Sequence, residues 1–269
     1  MNREEAVPQT QNFSPRASEP VRADYALDAG PGAHRIGLIA LATDHATERD
    51  FMNMRPDDEV AIYTSRVRNI NPCTVENLQT MAPLLTEAAS LILPGSRLDV
   101  MAYSCTSASV VIGHDAVAER IHAARPGIPC VTPLSAAYAG FERMGVTRIA
   151  VLTPYIDEVN AMIARHIEDH GMEIAGFTSF HMDDDVEMAG LPPETIYQAA
   201  LEADRPDAEA IFISCTAIRA CDVVERLERT LGKPVVTSIQ AMFWQSLRYA
   251  GYSRPIEGYG RLMRLSPES

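Results

Sequence analysis

Lysine is nearly absent from this chain: of 269 residues, only Lys233 carries an ε-amine. Pyridoxal enzymes need a lysine at the reacting centre for their Schiff base. Lys233 lies in Leu-Gly-Lys-Pro at the entry end of a strand-like run, opposite the end where α/β sheets hold ligands. Pyridoxal chemistry is therefore not expected. Basic charge is scarce overall, with 23 Lys and Arg against 36 Asp and Glu and a net charge of −13. Such a chain offers no basic surface to a phosphate backbone, which argues against nucleic acid as a partner. There is no Walker sequence and no Gly-x-Gly-x-x-Gly after a strand, so nucleotide cofactors have no evident seat. No apolar run approaches the ~18–20 residues that span a bilayer, and the N-terminus lacks a signal-peptide core. No membrane partner and a cytoplasmic location are the expectations. The five cysteines form no Cys-x-x-Cys pair, which indicates neither zinc nor a disulfide framework. No cofactor is expected at all.

What the chain does have is one tripeptide twice, each time at the end of an apolar run. Val100-Met-Ala-Tyr-Ser-Cys105-Thr-Ser has its counterpart in Ala210-Ile-Phe-Ile-Ser-Cys215-Thr-Ala. Two further segments recur in the same order: Arg35-Ile-Gly-Leu-Ile with Arg148-Ile-Ala-Val-Leu, and Pro129-Cys-Val-Thr132 with Pro234-Val-Val-Thr237. All three pairs are about 110 residues apart, the mark of an internal repeat. A short apolar run closing in small polar residues reads as a buried parallel strand whose C-terminal end opens into a loop. Cys105 and Cys215 would then face one cleft from two related lobes.

Strand and helix patterns alternate on both sides of the repeat. Strands are expected at 34–41, within 57–68, and at 98–103 and 128–132. Helices are expected at 75–92, 107–124 and 135–144. The second lobe repeats this with strands at 149–153, 172–180, 210–214 and 234–238. Its helices fall at 156–170, 193–202 and 217–231, and a final one at 240–250 should return to lobe one. The fold class is α/β, with two pseudo-symmetric lobes, each a parallel sheet flanked by helices, and the active site in the inter-lobe cleft. The domains expected are an N-terminal arm at 1–33, lobe one at 34–140 with the C-terminal helix of 240–269, and lobe two at 141–239. Cys73, Cys130 and Cys221 read as ordinary buried core residues. His166 and His170 read as a solvated helix face, and Asp183–Asp185 as a solvated acidic loop. His45 is either a substrate contact or an ordinary loop residue. Arg66, just after a strand, either grips a carboxylate or forms an ion pair.

These motifs resemble the aspartate/glutamate racemase superfamily, in the branch that holds maleate cis-trans isomerase and arylmalonate decarboxylase. Tyr63-Thr-Ser-Arg-Val-Arg-Asn, Ala102-Tyr-Ser-Cys-Thr-Ser and Phe212-Ile-Ser-Cys-Thr-Ala-Ile-Arg219-Ala are most similar to the ectoine-utilisation protein A group. The resemblance implies a thiol on each side of the substrate, Cys105 and Cys215. It implies that Thr106, Ser107 and Thr216 hold a substrate carboxylate through N–H groups and hydroxyls, and that Tyr155 hydrogen-bonds it. Maleate isomerases carry a Pro-Ser-Ser-Asn-Thr type loop after the first strand, where this chain has Leu41-Ala-Thr-Asp44-His-Ala. Asp44 in place of the amide would repel a second carboxylate and attract an ammonium or amidinium.

Three readings follow. The first is a cofactor-independent racemase or epimerase acting at the carbon α to a carboxylate, on an ectoine derivative such as hydroxyectoine. The second is a cis-trans isomerase using covalent thiolate addition. The third is a two-lobed binding protein without turnover. A small-molecule carboxylate is the expected partner, and a homo-oligomer the expected state.

Overall fold

The computed structural model describes residues 18–265. Of the expected N-terminal arm, residues 1–17 lie outside the described residues, as do 266–269 of the expected C-terminal stretch. Residues 18–30 form no helix or strand and expose Val21, Tyr25 and Leu27. From Pro31 onward the chain forms one compact unit.

Strand β1 (His34–Leu41) is buried on both faces from Arg35 onward, as its apolar run from Ile36 to Leu41 requires of a central parallel strand. It is followed by α1 (Thr47–Met54), β2 (Val60–Val67), α2 (Val75–Gln79), α3 (Leu85–Ser90) and β3 (Val100–Tyr103). Helices α4 (Thr106–Ile112) and α5 (His114–Ala124), strand β4 (Cys130–Val131) and helix α6 (Pro133–Met144) complete the first half. The second half runs β5 (Arg148–Tyr155), α7 (Asp157–Asp169), β6 (Glu173–Met182), α8 (Asp185–Ala189), α9 (Pro193–Ala203) and β7 (Ala210–Ile213). It ends with α10 (Val224–Leu231), β8 (Val235–Thr237), α11 (Ser238–Tyr249) and α12 (Gly260–Arg264). The two sheets have the same order, β2-β1-β3-β4 and β6-β5-β7-β8, with every pairing parallel. The repeat in the sequence is thus a repeat in topology.

Three expected helices are divided, each for a local reason. Pro83 cannot donate to the turn before it and converts the middle of 75–92 into a 3-10 turn, Ala82–Leu84, between α2 and α3. Gly113, at φ +89°, ends α4 and lets α5 start at a new angle. After Cys215 the chain makes a loop and a 3-10 turn, Ala220–Val223, before α10 begins. A short helix, α8, also replaces part of the expected acidic loop.

The lobes exchange helices. Helices α6 and α11 start with the same device, a threonine capping box at Thr132 and at Thr237. They pack against each other, and each reaches across the seam. Phe141 of α6 meets Phe212 of β7 edge-on at 6.0 Å, while Phe243 of α11 meets Phe51 of α1 at 4.7 Å. The return of the last helix to lobe one is therefore seen, with α11 lying against β1, β3 and β4.

The same seam holds Asp50 of α1, which is 1% exposed and paired with Arg49 at 2.8 Å. Its Oδ2 has no hydrogen-bond partner among the described residues. Burial pushes its carboxyl from 3.8 up to about 6, with Arg49 opposing. The folded protein therefore keeps a proton that the unfolded chain releases as pH rises from about 4 to about 6. This stability is fully present below pH 4 and lost as pH rises through 6, by up to about 3 kcal/mol at 1.36 kcal/mol per pH unit. Asp50→Asn should be more resistant to urea than the parent at pH 8, with the difference vanishing near pH 4. A difference independent of pH would show that Asp50 does not titrate in this way.

Candidate active site

Cys105 follows β3 and is the N-cap residue of α4. Its Sγ accepts the Ala108 N–H at 3.4 Å and lies 3.7 Å from Ser107 Oγ. Cys215 follows β7 at the corresponding place, but its surroundings differ. Its backbone has φ +139°, a region that non-glycine residues occupy only under strain. Its Sγ accepts the Ala217 N–H at 3.2 Å, and the nearby Tyr155 hydroxyl favours its thiolate. No helix begins at Cys215, so only Cys105 stands at a strand-to-helix junction of the expected kind.

The two motifs are joined by hydroxyls. Ser238, the first residue of α11, accepts from Thr106 Oγ1 at 2.9 Å and from the Cys215 N–H at 3.0 Å. Thr216 Oγ1 donates to the Ser104 carbonyl at 3.3 Å, and Thr47 Oγ1 lies 2.6 Å from Ser104 Oγ. Residues 110 positions apart in the chain therefore share one hydrogen-bond network. The Thr106 and Thr216 hydroxyls, expected on a substrate carboxylate, are engaged in this seam instead. What remains of the expected cradle is the N–H groups of Thr106 and Ser107, which open α4 and have no partner within the helix.

Asp44 is placed differently from expectation, and Arg66 takes the ion-pair alternative. Asp44 Oδ1 accepts the Ala46 and Thr47 N–H groups, each at 2.8 Å, and so fastens the start of α1. It is 6% exposed, and burial raises its carboxyl above the ordinary range. Arg66 donates to the carbonyls of Leu41, Ala42 and Asp44 and to Glu48, so it clamps the β1–α1 loop. The physical reason is the same for both: a tight loop leaves backbone groups unpaired, and nearby charged side chains satisfy them. His45 is exposed.

Two other features enter the site without having been expected there. Cys73 is buried, and its Sγ lies 3.7 Å from Ser107 Oγ, so Ser107 stands between two thiols. The acidic segment Asp183–Asp185 is no solvated loop: it straps lobe two to lobe one. The Asp183 carbonyl accepts the Cys73 N–H at 2.6 Å, and Asp185 Oδ2 accepts from Thr43 Oγ1 at 3.0 Å and Asn69 Nδ2 at 2.7 Å. Asn71 Nδ2 donates to Asp184 Oδ2 at 3.3 Å.

Electrostatically, burial favours the neutral form of both thiols. Cys105 and Cys215 are 4% and 5% exposed. Burial pushes Cys215 up to about 12, opposed by Tyr155 and the Ala217 N–H. It pushes Cys105 well above the ordinary thiol value, reinforced by Cys73 and opposed by the Ala108 N–H and Ser107. Burial and the neighbouring Cys215 likewise raise the Tyr155 phenol, so it stays a donor. A cavity of about 650 Å³ lies elsewhere, lined by residues that include His114, Tyr138, His166 and His170, and it contains neither thiol. Tyr138 stacks on His170 there at 4.4 Å; His170 is nonetheless exposed and His166 half-buried. Among the described residues, no group of three or more His, Cys, Asp or Glu is arranged to hold a metal, and no helix is long and apolar enough to cross a membrane.

The family profile described as arylmalonate decarboxylase matches residues 78–263, well over half of the chain. Arylmalonate decarboxylase from Bordetella bronchiseptica is 36% identical over 141 residues, which are 51% of this chain and 58% of that protein. The maleate isomerase of Pseudomonas putida S16, in its structure with maleate, superposes with a TM-score of 0.80 at 22% identity. That match covers 86% of this chain and 97% of the other. Nocardia farcinica maleate cis-trans isomerase, a cysteine-to-serine mutant with a covalently bound succinylcysteine intermediate, gives 0.78 at 24% identity. It covers 86% of this chain and 98% of that one.

Proposed function

This chain belongs to the arylmalonate decarboxylase family, and from that premise we propose that it is a cofactor-independent isomerase in which Cys105 and Cys215 act on opposite faces of one carbon. The observation that supports this best is the shared network: each thiol sits at the C-terminal end of its central strand, and one hydroxyl, Ser238, serves both motifs.

In this reading the substrate carries a carboxylate beside an acidic C–H. One cysteine, as thiolate, takes the α-proton from one face. The electron pair left behind spreads into the carboxylate as an enolate, stabilised by the N–H groups of Thr106 and Ser107. The other cysteine, as thiol, returns a proton from the opposite face, which inverts the carbon and leaves the thiols with exchanged roles. Entry of the substrate carboxylate against these donors brings its own charge. The resting thiols are therefore best kept neutral until Tyr155, Ser107 and the amides stabilise one thiolate. We assign racemisation or epimerisation of an ectoine derivative such as hydroxyectoine as the reaction class, on the motifs of both thiol loops.

A second reading, cis-trans isomerisation of an unsaturated acid by covalent thiolate addition, is favoured by the succinylcysteine seen in the Nocardia farcinica enzyme. Incubation in D2O separates them. Deuterium should appear at the α-carbon of hydroxyectoine without a lasting protein adduct. A mass increase on one cysteine with an unsaturated diacid, and no α-deuterium, would replace the first reading with the second.

A further inference from the structure

We propose that Asp185 is the group by which this site selects a substrate bearing a positively charged nitrogen as well as its carboxylate. The proposal rests on the two-thiol reading and specifies its substrate class.

Asp185 opens α8 in lobe two, yet its carboxylate is anchored in lobe one, on Thr43 and Asn69. The strap that carries it is tied to the thiol site through Cys73. The Cys73 amide holds the Asp183 carbonyl at 2.6 Å, and Cys73 shares the Ser107 hydroxyl with Cys105. Burial is the main cause that raises Cys73, Cys105 and Cys215, and the negative charge of Asp185 adds to it in each. Thr43 and Asn69 follow β1 and β2, so they hold the Asp185 carboxylate at the C-terminal edge of the lobe-one sheet, the edge that also bears Cys105.

The charged groups acting most strongly on Asp185 are themselves acids, Asp184 and Asp44. Asp44 is spent on the amides of α1, as described above. No arginine forms an ion pair with Asp185 among the described residues. Arg66 serves the β1–α1 loop and Glu48, Arg219 donates to the Leu191 carbonyl at 3.0 Å, and Arg68 is exposed. Asp185 is half-buried, with two neutral donors and, among the described residues, no cation in contact. A dicarboxylate in this space would set its second anion against Asp185, which costs binding energy in a poorly solvated site. A cationic nitrogen would instead supply the missing counter-charge. It would also cancel the effect of Asp185 on the thiols, so that the correct substrate eases formation of the thiolate that attacks it.

The test is direct binding by calorimetry of three acids that share a carboxylate and differ in their second group: ectoine with an amidinium, maleamate with a neutral amide and maleate with a second carboxylate. The wild-type protein should bind ectoine at least tenfold more tightly than maleate, with maleamate between them. Asp185→Asn keeps an oxygen for Thr43 and Asn69, so the strap should stay docked, which the melting temperature checks. In this variant the ectoine preference should fall at least tenfold. Asp184→Asn, whose side chain still accepts the α8 amides, should keep it. A preference for maleate in the wild type, equal affinities, no binding of any probe, or an unchanged ratio in Asp185→Asn would each overturn the proposal. Because binding alone is read, the result is separate from that of the deuterium experiment: the selectivity can hold while proton transfer by the thiols fails, and the reverse.

Discussion

Cys105→Ser and Cys215→Ser should each lower net turnover by about 10³-fold or more while the fold persists. The site demands a group that is an acid in one half-reaction and a base in the other, and a serine hydroxyl is far too weak an acid to form its anion near neutral pH. The substitution preserves the small polar side chain at both strand ends, so melting temperature and circular dichroism should change little. The two variants should nevertheless differ from one another. With one thiol left, the α-proton on that face can still be removed and returned, so each variant should exchange deuterium into one enantiomer only, and the two should prefer opposite enantiomers. Wild-type turnover in both variants would make the thiols bystanders. Loss of exchange with both enantiomers in both folded variants would mean that the thiols work only as a coupled pair.

The second large effect is expected at Ser238, a positioning residue that touches neither reacting atom. Ser238→Ala removes the acceptor of the Cys215 N–H and the partner of Thr106. A buried donor left unpaired costs about 1–3 kcal/mol, and Cys215, already at φ +139°, has little reason to keep its geometry without that anchor. The expected result is a tenfold to hundredfold loss in kcat, on the order expected for a misplaced reactive group, with KM moved much less. A variant that loses stability but keeps kcat would reduce Ser238 to a structural link.

Much of this site was legible in the sequence because a parallel strand writes itself as an apolar run and a duplicated lobe writes itself twice. The paired Ser-Cys-Thr motifs located both thiols, and the order of strands followed from the alternation. What escaped was whatever depends on contacts between loops. Cys73 stands alone in sequence and has no counterpart in the repeat, so only the fold shows that Ser107 lies between it and Cys105. Asp183–Asp185 has the composition of a solvated turn, and only its partners on the other lobe make it a strap. Ser238 follows the repeated Pro-x-Val-Thr segment, but the matching position in lobe one is Pro133, so the repeat gave no hint of a shared hydroxyl. Two further features were legible in the local sequence. Asp44 three residues before Thr47 is a helix-start pattern, and Pro83 inside an apolar periodicity announces a break.

The exchanged helices α6 and α11 carry a consequence for what holds the site together. Each half-chain contributes a helix that covers the other half's sheet, so neither half can bury its own apolar face alone. Two separate chains would have to find one another before either could fold completely, at a cost set by dilution. The short connection between α6 and β5 removes that cost by keeping each half at a millimolar-scale effective concentration of the other. Thiols borne by separate halves thereby meet at fixed stoichiometry, whatever the amount of protein in solution.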